Sequence, residues 1–228
     1  MKRSHLFALM AGVSFLLMMA SDIPVVMLVG RVLILFSTLF HELGHGITAI
    51  LVGGHFEKVT IDWDASGETL SRFPNSAWRA ALIAAGGLLG PSISAAALFW
   101  AARGTDRRLR GATLGLGLAL CFVGILAARS FWAIAFTLGL GLLLAYGAKR
   151  WKRSHLEVSV VFIAVQLGIS VFTRADYLFT KTAGEGRLSD VQQIAQQLWL
   201  PYWFWGLLCG ALSLLVLLWG FRCYTRER

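Results

Sequence analysis

The chain is expected to be an all-α polytopic membrane protein with about six to seven transmembrane helices and a short β-hairpin after the second of them. Three observations predict this. Of the 228 residues, 57% are hydrophobic and only 14% charged, whereas about a quarter of an average soluble domain is charged. Apolar runs long enough to cross a hydrocarbon core of about 30 Å recur along the whole length, leaving no stretch for a separate soluble core. Residues 1–228 therefore read as one integral membrane domain. Between the second and third runs, the helical pattern gives way to partial alternation.

The candidate spans lie at roughly 5–20, 24–52, 78–102, 111–128, 130–147, 156–173 and 198–221. Met1-Lys2-Arg3 ahead of the apolar run Leu6 to Ala20 has the shape of a signal sequence. Met18 and Met19 stand where a cleavage site needs small residues, so the first span is expected to be retained. Gly53-Gly54 ends the second helix. His55 to Asp64 then partly alternates, Ala65-Ser66-Gly67 supplies a turn, and Glu68-Thr69-Leu70 returns, which makes 53–77 a β-hairpin region. Pro74-Asn75 precedes the third helix. Arg129 and Ser130 interrupt 111–147, a stretch too long for one span, and divide it in two. The polar loop 174–197 ends in a short helix, with Ser189 and Gln192 fitting a capping box at its start. Pro201 lies near the beginning of the last span, where a proline is accommodated.

The formal net charge of +9 does not indicate nucleic acid. The basic residues occupy short loops between apolar runs rather than one amphipathic face, a pattern that membrane topology explains. The loops at 103–110 and 149–153 and the C-terminal tail carry four, four and three basic residues, which assigns that face to the cytoplasm; Lys2 and Arg3 argue the reverse. Cys121, Cys209 and Cys223 have no CxxC spacing and are odd in number, so neither a disulfide framework nor a thiolate zinc site is expected.

Within the second span stands His41-Glu42-Leu43-Gly44-His45. Residues four apart share a helix face, so both imidazoles can reach one metal ion while Glu42 stands beside the remaining coordination position. Each ionisable group in a membrane costs roughly 2.5 kcal/mol or more on insertion scales, which favours a working metal site over a chance match. His41 and His45 are then neutral ligands to zinc, and Glu42 is the general base on a zinc-activated water. The 17 residues from Pro24 to His41 span roughly 26 Å of helix, which puts the motif near the far end of its span.

A third protein ligand is needed. Leu51 stands where a metzincin would have histidine, so that class is excluded. His55, Glu57 and Glu68 lie in or beside the hairpin at no obvious ligand spacing. Four spans separate the hairpin from the 174–197 loop, so both emerge on one side, bringing Asp176 and Asp190 into range. Spacing does not choose between these two, and an acid in the first turn of a helix is also stabilised by the dipole alone.

Taken together, the motif, the hairpin, Ala85-Gly86-Gly87-Leu88-Leu89-Gly90-Pro91 and the late Ser189-Asp190 resemble the site-2 protease family of intramembrane zinc metalloproteases, particularly its compact peptidase M50B-like branch. The resemblance covers most of the chain. Such proteins carry a Gly-Pro-rich helix after the hairpin and a Ser-Asp-Ala-like element late in the chain. The resemblance implies one Zn2+ per chain held by His41, His45 and Asp190. It also implies hydrolysis of peptide bonds within or next to membrane-spanning substrates, with Glu42 as general base and with a membrane protein or peptide and the lipid bilayer as partners. Val191 departs from the usual alanine, the Leu-Asp-Gly element of better-known members is absent, and no PDZ-like insertion is apparent. The family usually places its site toward the cytoplasm, against the loop count above. The alternatives are a membrane-embedded zinc hydrolase of a lipid-like substrate and a noncatalytic membrane scaffold or chaperone. The Gly86 to Ala97 small-residue surface is expected to serve helix packing, Arg31 and Arg129 to snorkel, and the nine tryptophans to form an interfacial belt, as suits a multi-pass protein of the cell or plasma membrane.

Overall fold

Six helices are long and apolar enough to cross a membrane in the computed structural model, which describes residues 3–19, 23–173, 175–183 and 186–226, with backbone alone for 18, 19, 24, 25, 175 and 176. These are α2 (Pro24–Leu51), α3 (Ala77–Arg103), α4 (Asp106–Leu126), α5 (Phe131–Arg150), α6 (Arg153–Thr173) and α8 (Tyr202–Thr225). A shorter apolar helix, α1 (Arg3–Met19), precedes them, and α7 (Asp190–Gln197) lies between α6 and α8. The protein is a multi-pass membrane protein.

The apolar stretch 111–147 does divide where Arg129 and Ser130 interrupt it. Ser130 caps α5 by accepting from the Ala133 amide, and the Arg129 guanidinium donates to the carbonyls of Ala128 and Leu126 at the end of α4. Arg129 thus closes a helix end rather than merely reaching for water. Small residues let α4 and α5 approach closely, with Gly117 against Gly141 and Gly124 against Thr137.

Strand β1 (His55–Ile61) pairs antiparallel with β2 (Gly67–Arg72), running from His55 opposite Arg72 to Ile61 opposite Gly67 with a bulge between Phe56 and Lys58. The turn is stiffened by Asp64, whose carboxylate accepts from the Ser66 amide at 2.9 Å and hydroxyl at 2.7 Å. The outer edge of β1 is also occupied. Val59 donates to the Ala127 carbonyl at 2.9 Å and accepts from the Arg129 amide at 3.0 Å. The Ser130 hydroxyl meets both the amide and the carbonyl of Ile61 at 2.9 and 2.7 Å. Val59 and Ile61, both 0% exposed, turn inward onto Leu35, Leu39 and Leu43 of α2 and Leu120 and Leu144 of the α4–α5 pair. The hairpin is therefore clamped along α2 rather than standing free.

Arg3 donates to the Arg103 carbonyl at 3.2 Å, approaches Glu157 at 3.9 Å and sits over the Tyr224 ring. The start of α1 thus shares one end of the molecule with the α3–α4 turn, the start of α6 and the end of α8. In series, α1 and α2 carry the chain from that end to the hairpin. At 17 residues, α1 extends only about 26 Å, short of a hydrocarbon core of about 30 Å.

Candidate metal centre

Close packing of α2 on α3 shapes the site. A Cβ on Gly44 would strike the Gly86 backbone, one on Gly90 would fall 2.8 Å from the Phe40 carbonyl oxygen, and one on Gly87 would enter the His45 ring. The small-residue face of α3 therefore packs, as expected, but at Gly87 it packs against a proposed ligand. From the same helix the Ile83 carbonyl lies 2.8 Å from His45 Nδ1. A carbonyl only accepts, so Nδ1 carries the proton and Nε2 is left with its lone pair.

That lone pair faces two other ligand-type atoms. His45 Nε2 is 3.2 Å from His41 Nε2 and 3.5 Å from Asp190 Oδ1, and His41 Nε2 is 3.1 Å from Asp190 Oδ2. Among the described residues, His41, His45 and Asp190 form the group able to hold a metal, with one ligand atom from each lying within 4.8 Å of the others. The three residues fit zinc. Bonds of about 2.0–2.1 Å in a tetrahedron imply ligand separations of about 3.3 Å, close to the nitrogen–nitrogen distance and to the approach of each histidine to its own Asp190 oxygen. Asp190 Oδ2 is buried and, despite its closeness to His41, has no aligned hydrogen-bond partner, which suits an oxygen directed at a cation.

Asp190 reaches this position because Ser189 starts α7. The Ser189 hydroxyl accepts from the Gln192 amide at 3.2 Å and donates to the Thr180 carbonyl at 2.5 Å. Burial opposes ionisation of Asp190, but His45 and His41, when they carry protons in place of a metal, prevail and hold its carboxyl well below the usual carboxylate range. Val191, the departure from alanine, is fully buried among Ala81, Ala84, Leu88, Ile194 and Cys209, where it seats α7 on α3 and α8.

Glu42 is 6% exposed and lines, with His41, a cavity of about 610 Å³ walled by α2, α3, α6, the hairpin turn and the segment before α7. The Thr38 hydroxyl donates to the Ala65 carbonyl at 3.2 Å and the Thr69 hydroxyl to the Glu42 carbonyl at 2.9 Å, so the hairpin is pinned over Glu42. Gly67 lies so close that a Cβ there would fall 2.7 Å from Glu42 Oε1.

The other ligand candidates are elsewhere. Glu57 pairs with Arg72 at 2.6 Å, Glu68 with Arg187 at 3.7 Å, and His55 is exposed at the start of β1. The side chain of Asp176 lies outside those described. Sequence reasoning missed Tyr177, whose ring stands edge-on to His41 at 6.0 Å and lines the cavity. It also missed the parts of Ile83, Gly67 and Thr69, since only folding brings them to the motif.

Fold and site define a polytopic membrane protein with a His-His-Asp group beside a buried glutamate. The chain matches the Peptidase M50B-like family over residues 8–220 and belongs to it, a family of membrane metallopeptidases. No curated protein and no solved structure shows a significant match.

Proposed function

We propose that the chain, acting as a single domain, is an intramembrane zinc metalloprotease that hydrolyses peptide bonds within or next to membrane-spanning substrates. The observation that carries this reading is the convergence of His41, His45 and Asp190, with His41 and the adjacent Glu42 lining one cavity. The two histidines and Asp190 would hold one zinc ion, which when bound supplies Lewis acidity toward a carbonyl oxygen and acidifies water. Glu42 takes a proton from the attacking water as its oxygen bonds to the scissile carbonyl carbon. As the carbon–nitrogen bond breaks, Glu42 returns that proton to the leaving amine. The Ile83 carbonyl keeps His45 in the ligating tautomer.

A peptide is favoured over a lipid by the hairpin. One edge of β1 is occupied by residues 127–130, whereas β2 has no strand partner on its outer edge among the described residues. An unwound segment of substrate can add there through backbone hydrogen bonds. Purified wild type should carry one zinc per chain and His45→Ala should lose it. Glu42→Gln should keep the metal while uncut membrane peptides accumulate. Zinc-free wild type, or cleavage that survives Glu42→Gln, would overturn the proposal. Accumulated lipid with unchanged peptides would point instead to a lipid hydrolase, and no change in either to a scaffold.

A further inference from the structure

Charge is divided unevenly between the two ends of the helix bundle. At one end, Arg110 donates to the carbonyls of Ala148 and Trp151 at 2.8 and 3.0 Å, Arg153 to that of Gly104 at 2.9 Å and Arg3 to that of Arg103 at 3.2 Å. The Tyr224 hydroxyl meets Glu157 at 3.2 Å. These contacts gather Arg3, the four arginines of 103–110, the four basic residues of 149–153, Arg222 and Arg226. Against them stand, among the described residues, Asp106 and Glu157, both already engaged: Asp106 with Arg110 at 2.7 Å, Glu157 with Arg3 and Tyr224.

The opposite end is nearly balanced. The hairpin places Glu57, Asp62, Asp64 and Glu68 there, and with Asp190 and Glu42 they face Lys58, Arg72, Arg79 and Lys181, with Arg31 at the hairpin turn. Arg72 and Arg187 are each paired with a hairpin carboxylate. Arg129 is spent on helix carbonyls. The metal centre belongs to this end through Asp190 and the hairpin pinned over Glu42.

We propose that the basic end is a docking surface for the anionic lipid headgroups of the cytoplasmic leaflet, and that the metal centre opens on the opposite, non-cytoplasmic face. Arginines and lysines beside spans are retained on the cytoplasmic side, where anionic lipids give the surface a negative potential. The sequence alone carried a contradiction on this point, because counting α1 and α2 as two full crossings put Arg3 on the motif's side. The contacts of Arg3 remove it, placing that residue with the other cations; Lys2 lies outside the described residues. The resulting orientation is opposite to the placement usual in the family. Arg108 lies over the half-exposed Trp100 ring at 4.2 Å, a cation and an aromatic residue suited to a headgroup layer. Trp78, Trp199 and Trp203 are exposed near the other ends of the helices, where a second belt marks the other boundary.

The orientation stands apart from the protease reading, but its consequence rests on it: the bonds cut would lie near the non-cytoplasmic end of a membrane-spanning substrate. Impermeant maleimide labelling tests the orientation without any need for zinc or activity. In intact cells, Gln196→Cys on α7 and Asp64→Cys at the hairpin turn should label as fully as after permeabilisation. Arg226→Cys should label only after permeabilisation, with wild type providing the background of the native cysteines. The reverse pattern, or labelling of both ends in intact cells, overturns the orientation. Purified from vesicles of equal phosphatidylglycerol and phosphatidylcholine, the chain should retain the anionic lipid in excess, and Arg107→Gln combined with Arg150→Gln should reduce that excess. Equal retention of the two lipids by wild type overturns the docking surface.

Discussion

Gly87 occupies a place where a single methyl group would collide with the Cε1 and Nε2 atoms of His45. Gly87→Ala should therefore displace a proposed ligand nitrogen and weaken zinc binding by about ten- to a hundredfold, read by competition with a chelator, without dismantling the helices. Gly67 has the same relation to the proposed base, since a Cβ there would lie 2.7 Å from both Glu42 Oε1 and Thr38 Cγ2. Gly67→Ala should leave zinc content unchanged and lower cleavage, and a parallel loss of metal would show that the turn supports the ligands instead. Both glycines stand in the sequence without a mark of their roles. Gly87 is one of several small residues on α3, and Gly67 is an ordinary turn residue.

At the level of elements, the hairpin depends on a loop that the sequence shows only as a break between two spans. Ser130 contacts both backbone groups of Ile61 and caps α5. Ser130→Ala should cost about 1–2 kcal/mol, measured as unfolding in denaturant, and should increase amide exchange at Ile61. Unchanged exchange would show that apolar packing of Val59 and Ile61 suffices to hold the strand. The hairpin itself, its turn and the Ser189 cap were legible, because alternation, turn residues and capping act over a few residues. The pairing of Val59 with residues 127–129 was not, since nothing local distinguishes this turn from any other connection between spans.

Across the whole molecule, the three proposed ligands tie α2 to α7, elements about 145 residues apart. A metal bound only by the folded arrangement stabilises it by mass action, so a chelator should lower the thermal midpoint of wild type. It should leave His45→Ala unaffected, and an equal response in both would detach the stability from this site. The number of crossings was readable from hydropathy to within one span. α1 is the exception, since its composition suits a membrane and its length falls short.

The sequence by itself determined the membrane class, the helix-borne pair of histidines with its glutamate, and the hairpin that follows, because each depends on composition or on spacing within a few helical turns. Only the tertiary structure decided which distant carboxylate approaches His41 and His45, which glycines make room for them, and at which end Arg3 lies. Those outcomes depend on how separate helices pack, and packing is set by shape and contact between residues far apart in the chain, which no local pattern encodes.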